Sequence, residues 1–148
     1  MMKKNILAFF ILYSLIIGQN QPITVAVLDF EGQGISVQEV KTLTERIRSE
    51  IGNTNAVRLI ERKAVDKIMA EQGLQQSGCT TDECASEVGK LLGVQFMISG
   101  SIGLVGDTYT IDTKMFSVES GETVRTKSAS YAGEISGLIT EMEILAWE

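Results

Sequence analysis

The sequence contains no histidine, and this absence narrows the chemistry open to the protein. Histidine is the side chain that most often serves as a general base or metal ligand near neutral pH. Catalysis by a Ser–His or Cys–His pair, and metal binding through imidazole, are therefore excluded. The sequence also has only one proline and 6% aromatic residues. With 148 residues, 44% of them hydrophobic, it fits one globular domain.

Positive charge is also scarce. Lysine and arginine number 13 against 19 aspartates and glutamates, giving a formal net charge of −6. The charge becomes −8 when the two positive charges of Lys3 and Lys4 are removed with the N-terminal segment described next. Proteins that bind nucleic acid phosphates or anionic membranes usually present an excess of positive charge. The composition therefore argues against both kinds of partner.

The first 20 residues have the pattern of a secretory signal peptide. Lys3 and Lys4 precede an apolar run at residues 6–17, which gives way to polar residues before Pro22. A helix over residues 6–17 spans about 18 Å, whereas a bilayer has about 30 Å of hydrocarbon, which disfavours a membrane anchor. We expect cleavage near residues 18–21. A soluble periplasmic domain over residues 23–148, with no membrane span and no lipid-acceptor cysteine, would remain.

The two cysteines, Cys79 and Cys84, agree with export. An isolated pair in an exported chain indicates a disulfide. Two other interpretations stay open: a zinc site, which would need two more ligands, and a redox pair, which usually has two intervening residues. The bridge would join a loop to the start of a helix capped by Thr80 or Thr81, and Thr80 with Glu83 fits a capping box.

Hydrophobic periodicity predicts an α/β domain with the element order β-α-β-α-α-β-β-β-α. Short apolar runs indicate buried strands, and apolar stripes at helical spacing indicate amphipathic helices. Ser36 and Glu39 form a capping-box pattern for the first helix. The expected architecture is a single layered domain in which helices pack on a mixed sheet. The predicted strands cover residues 23–30, 56–60, 95–105, 109–115 and 122–130 (a candidate sheet edge); the helices cover residues 36–51, 61–72, 81–92 and 135–145; residues 31–34 form a loop.

Two candidate sites lie at the carboxyl end of the first predicted strand and in the loop that follows it. The loop from Gly32 to Ser36 precedes a helix N-terminus, where backbone N–H groups could bind a phosphate. A dinucleotide fingerprint would place glycine where Val37 stands, so an ordinary βα loop is the competing interpretation. Asp29 lies where α/β proteins often carry functional carboxylates. Without a partner base it would instead cap a helix or bind its own loop.

The chain also offers candidate contact residues. Arg58, Arg62 and Lys63 form its densest basic group. They predict either a docking spot for an acidic partner or a solvated helix start. Tyr131 and Trp147 are candidate interface anchors, although the helical pattern favours Trp147 as part of the packing face of the last helix.

Three glycines recur at every third position of a predicted strand. Gly100, Gly103 and Gly106 interrupt an otherwise apolar stretch. Glycine within a strand commonly marks a bulge or a close approach of another part of the protein. We therefore expect packing, rather than ligand binding, to explain them.

A series of segments along the chain resembles the CsgG-like superfamily of bacterial envelope proteins. This group includes the curli secretion channel, LpoB-type activators of penicillin-binding proteins and related small periplasmic proteins. The resemblance implies an anticodon-binding-domain-like α/β fold, no cofactor or catalytic centre, and work through protein–protein contacts. The segments are VAVLDF at 25–30, LIER at 59–62, VDKIMAEQ at 65–72, GC at 78–79 with CA at 84–85, GKLLGV at 89–94, ISGSI at 98–102 and YTI at 109–111.

These observations together predict a non-catalytic binding or assembly module of the cell envelope. Its partner would be an unidentified envelope protein or a second copy of the chain. One alternative is a domain that binds a phosphate or nucleotide through the loop from Gly32 to Ser36. Another is a subunit of an outer-membrane secretion channel, although Asp112 and Lys114 in a predicted strand suit water better than lipid.

Overall fold

The computed structural model describes residues 21–74, 79 and 81–148, and the predicted signal peptide lies outside them. Six strands and four helices alternate within these ranges. A turn of 3-10 helix at Ile135–Gly137 precedes the last helix. In chain order they are β1 (Thr24–Val27), β2 (Glu31–Gln33), α1 (Val37–Asn53), β3 (Arg58–Leu59), α2 (Arg62–Glu71), α3 (Asp82–Leu92), β4 (Phe96–Val105), β5 (Thr108–Ser117), β6 (Thr123–Ala132) and α4 (Leu138–Trp147).

The strands form one mixed sheet in the order β3-β1-β4-β5-β6. β1 pairs in parallel with β3 and β4, while β4, β5 and β6 form an antiparallel meander. The short strand β2 also pairs in parallel with β4 and continues the line of β1 along it. The mixed sheet and the edge position of β6 are as expected, and the element order is as expected except for the additional strand β2. The loop expected over residues 31–34 is corrected, because Glu31–Gln33 is a strand.

Helices cover both faces of this sheet. On one face, α2 and α3 pack over Ala26, Leu28, Met97 and Phe116. On the other, α1 and α4 pack over a second group of buried residues that includes Val27, Ile102 and Ile111. Alternate residues of β1 thus face opposite cores, as the continuous apolar run predicted. The burial of β1 between two neighbouring strands and two helical layers fixes where its carboxyl end, and Asp29 after it, must lie.

The helix ends follow the sequence signals closely. Ser36 accepts a hydrogen bond from the backbone of Glu39, whose carboxylate accepts one from the backbone of Ser36, so the predicted capping box is confirmed. Thr81 caps α3 by accepting from the backbone N–H of Cys84 at 3.2 Å. The alternative cap, Thr80, lies outside the described residues. Gly93 ends α3 with a φ of 68°, a conformation that favours glycine.

Within the described part of the chain, no helix combines the length and the apolar character that a membrane-spanning helix needs.

Candidate functional site

Asp29 lies directly beyond the carboxyl end of β1, between α1 and α2. Its carboxylate accepts a hydrogen bond from Arg62, with 2.8 Å between Oδ2 and Nη2. Arg48 of α1 lies on the other side, with Nη2 at 3.5 Å from Oδ1. The side chains of Asp29 and Arg48 are only 10% and 6% exposed. The residue predicted as a candidate carboxylate is therefore held by two arginines.

Glu45 completes this arrangement from the outer side of α1. It accepts from Arg62, with 2.8 Å between Oε1 and Nη1, and forms an ion pair with Arg48. Arg48 also donates to the carbonyl oxygen of Val27 at 2.8 Å. We call Asp29, Glu45, Arg48 and Arg62 the Asp29 cluster. Its two carboxylates and two guanidiniums balance in charge, and the cluster connects both helices to the end of β1.

A cleft of about 700 Å³ opens beside the Asp29 cluster. The loop predicted as a candidate phosphate site lines this cleft, together with acidic and basic side chains. Because the carboxylates outnumber the cations, the cleft does not attract an anion. Its charged lining residues are Asp29, Glu31, Asp66, Lys41 and Arg62.

The helix N-terminus at this cleft is already occupied by a carboxylate. Ser36 donates to Glu39 through its side chain and its backbone, with 2.5 Å and 3.1 Å to Oε2. These hydrogen bonds, that from the side chain first, lower the pKa of Glu39 from its usual value. A phosphate at this end of α1 would meet a negative charge, so the geometry favours an ordinary connection from β2 to α1 over a phosphate site.

Packing explains the first glycine of this loop. A Cβ atom at Gly32 would lie 2.5 Å from Cγ2 of Val40, which is buried in α1. A side chain at this position would push the loop away from the helix. Gly32 thus allows β2 to pass close to α1, and no ligand is needed to account for it.

The three predicted docking residues lie in different environments. Arg58 is exposed in the edge strand β3, and Lys63 is exposed in the first turn of α2. Arg62 belongs to the Asp29 cluster and is partly buried. Arg58 and Lys63 are therefore exposed at the surface, while Arg62 is held by the carboxylates of the Asp29 cluster.

The two cysteines form a disulfide bond. Cys79 is buried in the core beneath α2 and α3, and its Cα atom lies 5.4 Å from that of Cys84. The bond joins the chain before α3 to the first turn of that helix, as the spacing predicted. It therefore has a structural position, in which the sulfur of Cys79 packs with apolar side chains rather than facing solvent.

A second cavity, a groove of about 440 Å³, lies on the sheet face that α1 and α4 cover. Apolar side chains form much of its lining, and β6 contributes two cations at one end. We call this the β6 groove; its lining includes Val25, Ile47, Ile51, Ile98, Met115, Arg125, Lys127, Leu145 and Trp147. The sequence analysis did not single out Arg125 and Lys127. Their two-residue spacing in a strand, which places both on one face, was the available signal.

Trp147 lies at the rim of the β6 groove. Its side chain is 62% exposed, and its indole Nε1 donates to Glu50 at 3.4 Å. The expectation that it packs with the last helix is wrong, because Leu138 and Met142 provide the buried face of α4. Trp147 remains a candidate anchor for a contact with another molecule.

The sequence was compared with protein families and with curated proteins. A family model described as "Curli production assembly/transport component CsgG" matches residues 20–107. No curated protein matches the sequence.

Solved structures share the fold across most of the chain. The C-terminal domain of LpoB from Salmonella enterica superposes with a TM-score of 0.63 and 16% identity, covering 79% of this chain and 87% of that one. Lipoprotein GNA1162 from Neisseria meningitidis gives 0.66 and 11%, covering 85% and 94%. The PelC dodecamer from Paraburkholderia phytofirmans gives 0.57 and 12%, covering 84% of each chain. At these identities the likeness establishes the fold alone.

Proposed function

The chain belongs to the CsgG family, and from this premise we propose that it is an exported protein of the cell envelope that acts by binding other proteins rather than by catalysis. The family match carries the proposal, since the matching model describes an assembly and transport component. The structural neighbours include a protein named as a lipoprotein and one solved as a dodecamer. Both descriptions fit work at the envelope through protein contacts.

The side-chain chemistry supports binding over catalysis. The sequence has no histidine, and Asp29, the carboxylate beyond the end of β1, is paired with Arg48 and Arg62. A general base must be within reach of a substrate proton and free to accept it. A carboxylate held between two guanidiniums is poorly suited to that role.

The disulfide supports export. Such bonds persist in oxidising compartments and are rare in the cytosol, where thiols are kept reduced. The bond between Cys79 and Cys84 is therefore the expected state for a protein that functions in the periplasm. The pattern of the first 20 residues agrees with this destination.

Export is tested by producing the full chain in a bacterium with a periplasm and trapping free thiols with an alkylating reagent before lysis. We expect a shortened chain in the periplasmic fraction, with Cys79 and Cys84 protected from alkylation. The matched control is the double variant Ile11→Asp and Leu15→Asp, which interrupts the apolar run and should remain cytosolic and reduced. Recovery of the unaltered chain in the cytosol with both thiols alkylated would contradict export.

Binding is tested by affinity capture from envelope extracts. The tagged chain should recover one or more proteins in amounts related to the bait, and an unrelated exported protein of similar charge serves as the control. If the two baits recover the same proteins over a range of salt concentrations, the proposed binding function is wrong.

A further inference from the structure

The two edges of the sheet differ sharply in length. At one edge β3 has two residues, whereas at the other β6 has ten. Within the described part of the chain, no strand pairs with the outer side of β6. A long unpaired edge exposes a row of backbone N–H and C=O groups that can pair with another chain, and proteins usually shorten or interrupt such edges.

β6 is interrupted only near its start. The register shifts between Met115 and Phe116, which face Arg125 and Thr123, so Val124 is an extra residue. From Arg125 to Ala132 the pairing with β5 is regular over eight residues. The strand contains no proline. A regularly paired segment of this length matches the strands that globular proteins commonly pair.

The charge on this strand is positive although the whole chain is acidic. Arg125 and Lys127 lie opposite Met115 and Thr113, on the face that bears the β6 groove. Both cations contact Glu148. Arg125 Nη1 donates to its carbonyl oxygen at 2.7 Å, and Lys127 Nζ donates to its Oε2 at 2.9 Å. The Lys127 and Glu148 side chains are 41% and 47% exposed, and ion pairs this exposed are weak enough to exchange.

Apolar surface adjoins the same edge. The β6 groove continues from Arg125 and Lys127 to Met115 and Leu145, and the exposed Trp147 stands at its rim. Exposed tryptophan beside a cavity is typical of residues that anchor protein contacts. Backbone pairing groups, two cations and an apolar cavity therefore occur side by side.

We propose that an extended, acidic segment of a partner protein adds to β6 as a further strand, with carboxylates on Arg125 and Lys127 and an apolar side chain in the β6 groove. This inference rests on the proposed binding function and names its surface. A peptide suits the site better than an acyl chain, because only a peptide satisfies the backbone groups of the strand edge. A second copy of β6 would bring two more cations to the same edge, which charge repulsion disfavours.

The test uses the full chain carrying a photo-crosslinking residue at Ser130 in β6, or at the exposed Glu87 in α3 as the comparison position. Each is irradiated in envelope extract and the adduct is mapped by mass spectrometry. We expect an adduct from position 130 that exceeds the one from position 87 at least tenfold. The crosslinked segment should contain more Asp and Glu than Lys and Arg.

Charge reversal gives the matched comparison. The double variant Arg125→Glu and Lys127→Glu should reduce the adduct at position 130 at least tenfold. The double variant Arg58→Glu and Lys63→Glu makes the same change in charge in the other edge strand and in α2, and it should leave the adduct intact. Unchanged melting temperatures establish that both variants fold. If the first variant does not fold, Arg125→Gln with Lys127→Gln takes its place.

The outcomes separate this inference from the function on which it rests. The partner would bind elsewhere if the adduct were lost only in the Arg58 and Lys63 variant, or if the predominant adduct formed at position 87. Either result would overturn the inference and leave the proposed binding function in place. An adduct containing only this chain would identify a second copy as the occupant and also overturn it. No adduct at either position, together with no specific protein in the capture experiment, would overturn both proposals.

Discussion

Arg62 donates a hydrogen bond to Asp29, with 2.8 Å between Nη2 and Oδ2, although 33 residues separate them in sequence. The contact joins the first turn of α2 to the end of β1. Arg48 reaches the same carboxylate from α1 and is 6% exposed. The Asp29 cluster thus connects three elements of the fold at a point where the backbone leaves the sheet.

Removal of the Asp29 carboxylate should therefore destabilise the protein strongly. Asp29→Ala would leave Arg48 and Arg62 short of an anionic partner in a largely buried setting, and we expect the free energy of unfolding to fall by about 2–4 kcal/mol. Urea unfolding measures this difference. The control is Glu71→Ala, which removes an exposed partner of Lys67 at 3.9 Å and should change stability by less than about 0.5 kcal/mol. Equal effects of the two substitutions would show that the cluster contributes little.

Two Gly→Ala substitutions should change stability in opposite directions. A Cβ atom at Gly100 would lie 2.6 Å from both the ring of Phe30 and the backbone oxygen of Asp112, so Gly100→Ala should destabilise by about 1–3 kcal/mol. Gly52 lies in α1, where the nearest atom to an added Cβ is at 3.9 Å. Gly52→Ala should stabilise by about 0.5–1 kcal/mol, because alanine favours helix. Thermal or urea unfolding gives both signs, and a stabilising Gly100→Ala would refute the packing explanation.

The capping box of α1 should make the free energy of unfolding depend on pH in the acidic range. Hydrogen bonds from Ser36 lower the pKa of Glu39 from its usual 4.5. A lowered pKa in the folded state adds stability that is present above the usual value and is lost as pH falls through the folded value. Glu39→Gln keeps a capping side chain without this titration. The stability advantage of wild type over Glu39→Gln should therefore shrink as the pH is lowered below 4.5. An advantage that stays constant with pH would count against the effect.

Replacing a cysteine of the disulfide should lower the free energy of unfolding relative to oxidised wild type but not relative to reduced wild type. The chain-entropy model assigns about 2 kcal/mol to so short a loop, and we expect Cys84→Ser to lower the free energy of unfolding by about 1–3 kcal/mol. Reductant should lower the free energy of unfolding of wild type to that of Cys84→Ser, and it should leave that of the variant unchanged. A melting temperature of wild type that does not respond to reductant would show that the bond between Cys79 and Cys84 contributes nothing.

Local signals allowed much of the fold to be predicted. The capping pair Ser36 and Glu39 marked the start of α1, the pairing of Cys79 with Cys84 followed from their spacing, and the polar character of the last strand indicated a sheet edge. Each of these features depends on residues close together in the sequence, and local sequence patterns predict such features well.

Long-range contacts account for what the sequence did not reveal. The strand Glu31–Gln33 looks like a loop because only its pairing with Ser101–Gly103 makes it β. Arg62 looks like a free surface cation because its partner Asp29 comes from another element. The lining of the β6 groove includes residues of α1, α4 and the strands β1, β4, β5 and β6. No single segment of the sequence therefore has a pattern that predicts the groove.

The most direct test of the central claim, that this protein works by binding other proteins, is the sedimentation of the tagged full-length chain in an envelope extract of the source cells. The account predicts a species that sediments faster than the purified monomer of the same tagged chain and that shifts to the monomer position when protein contacts are dissociated. Sedimentation of all the chain as a monomer in the freshly prepared extract would contradict it.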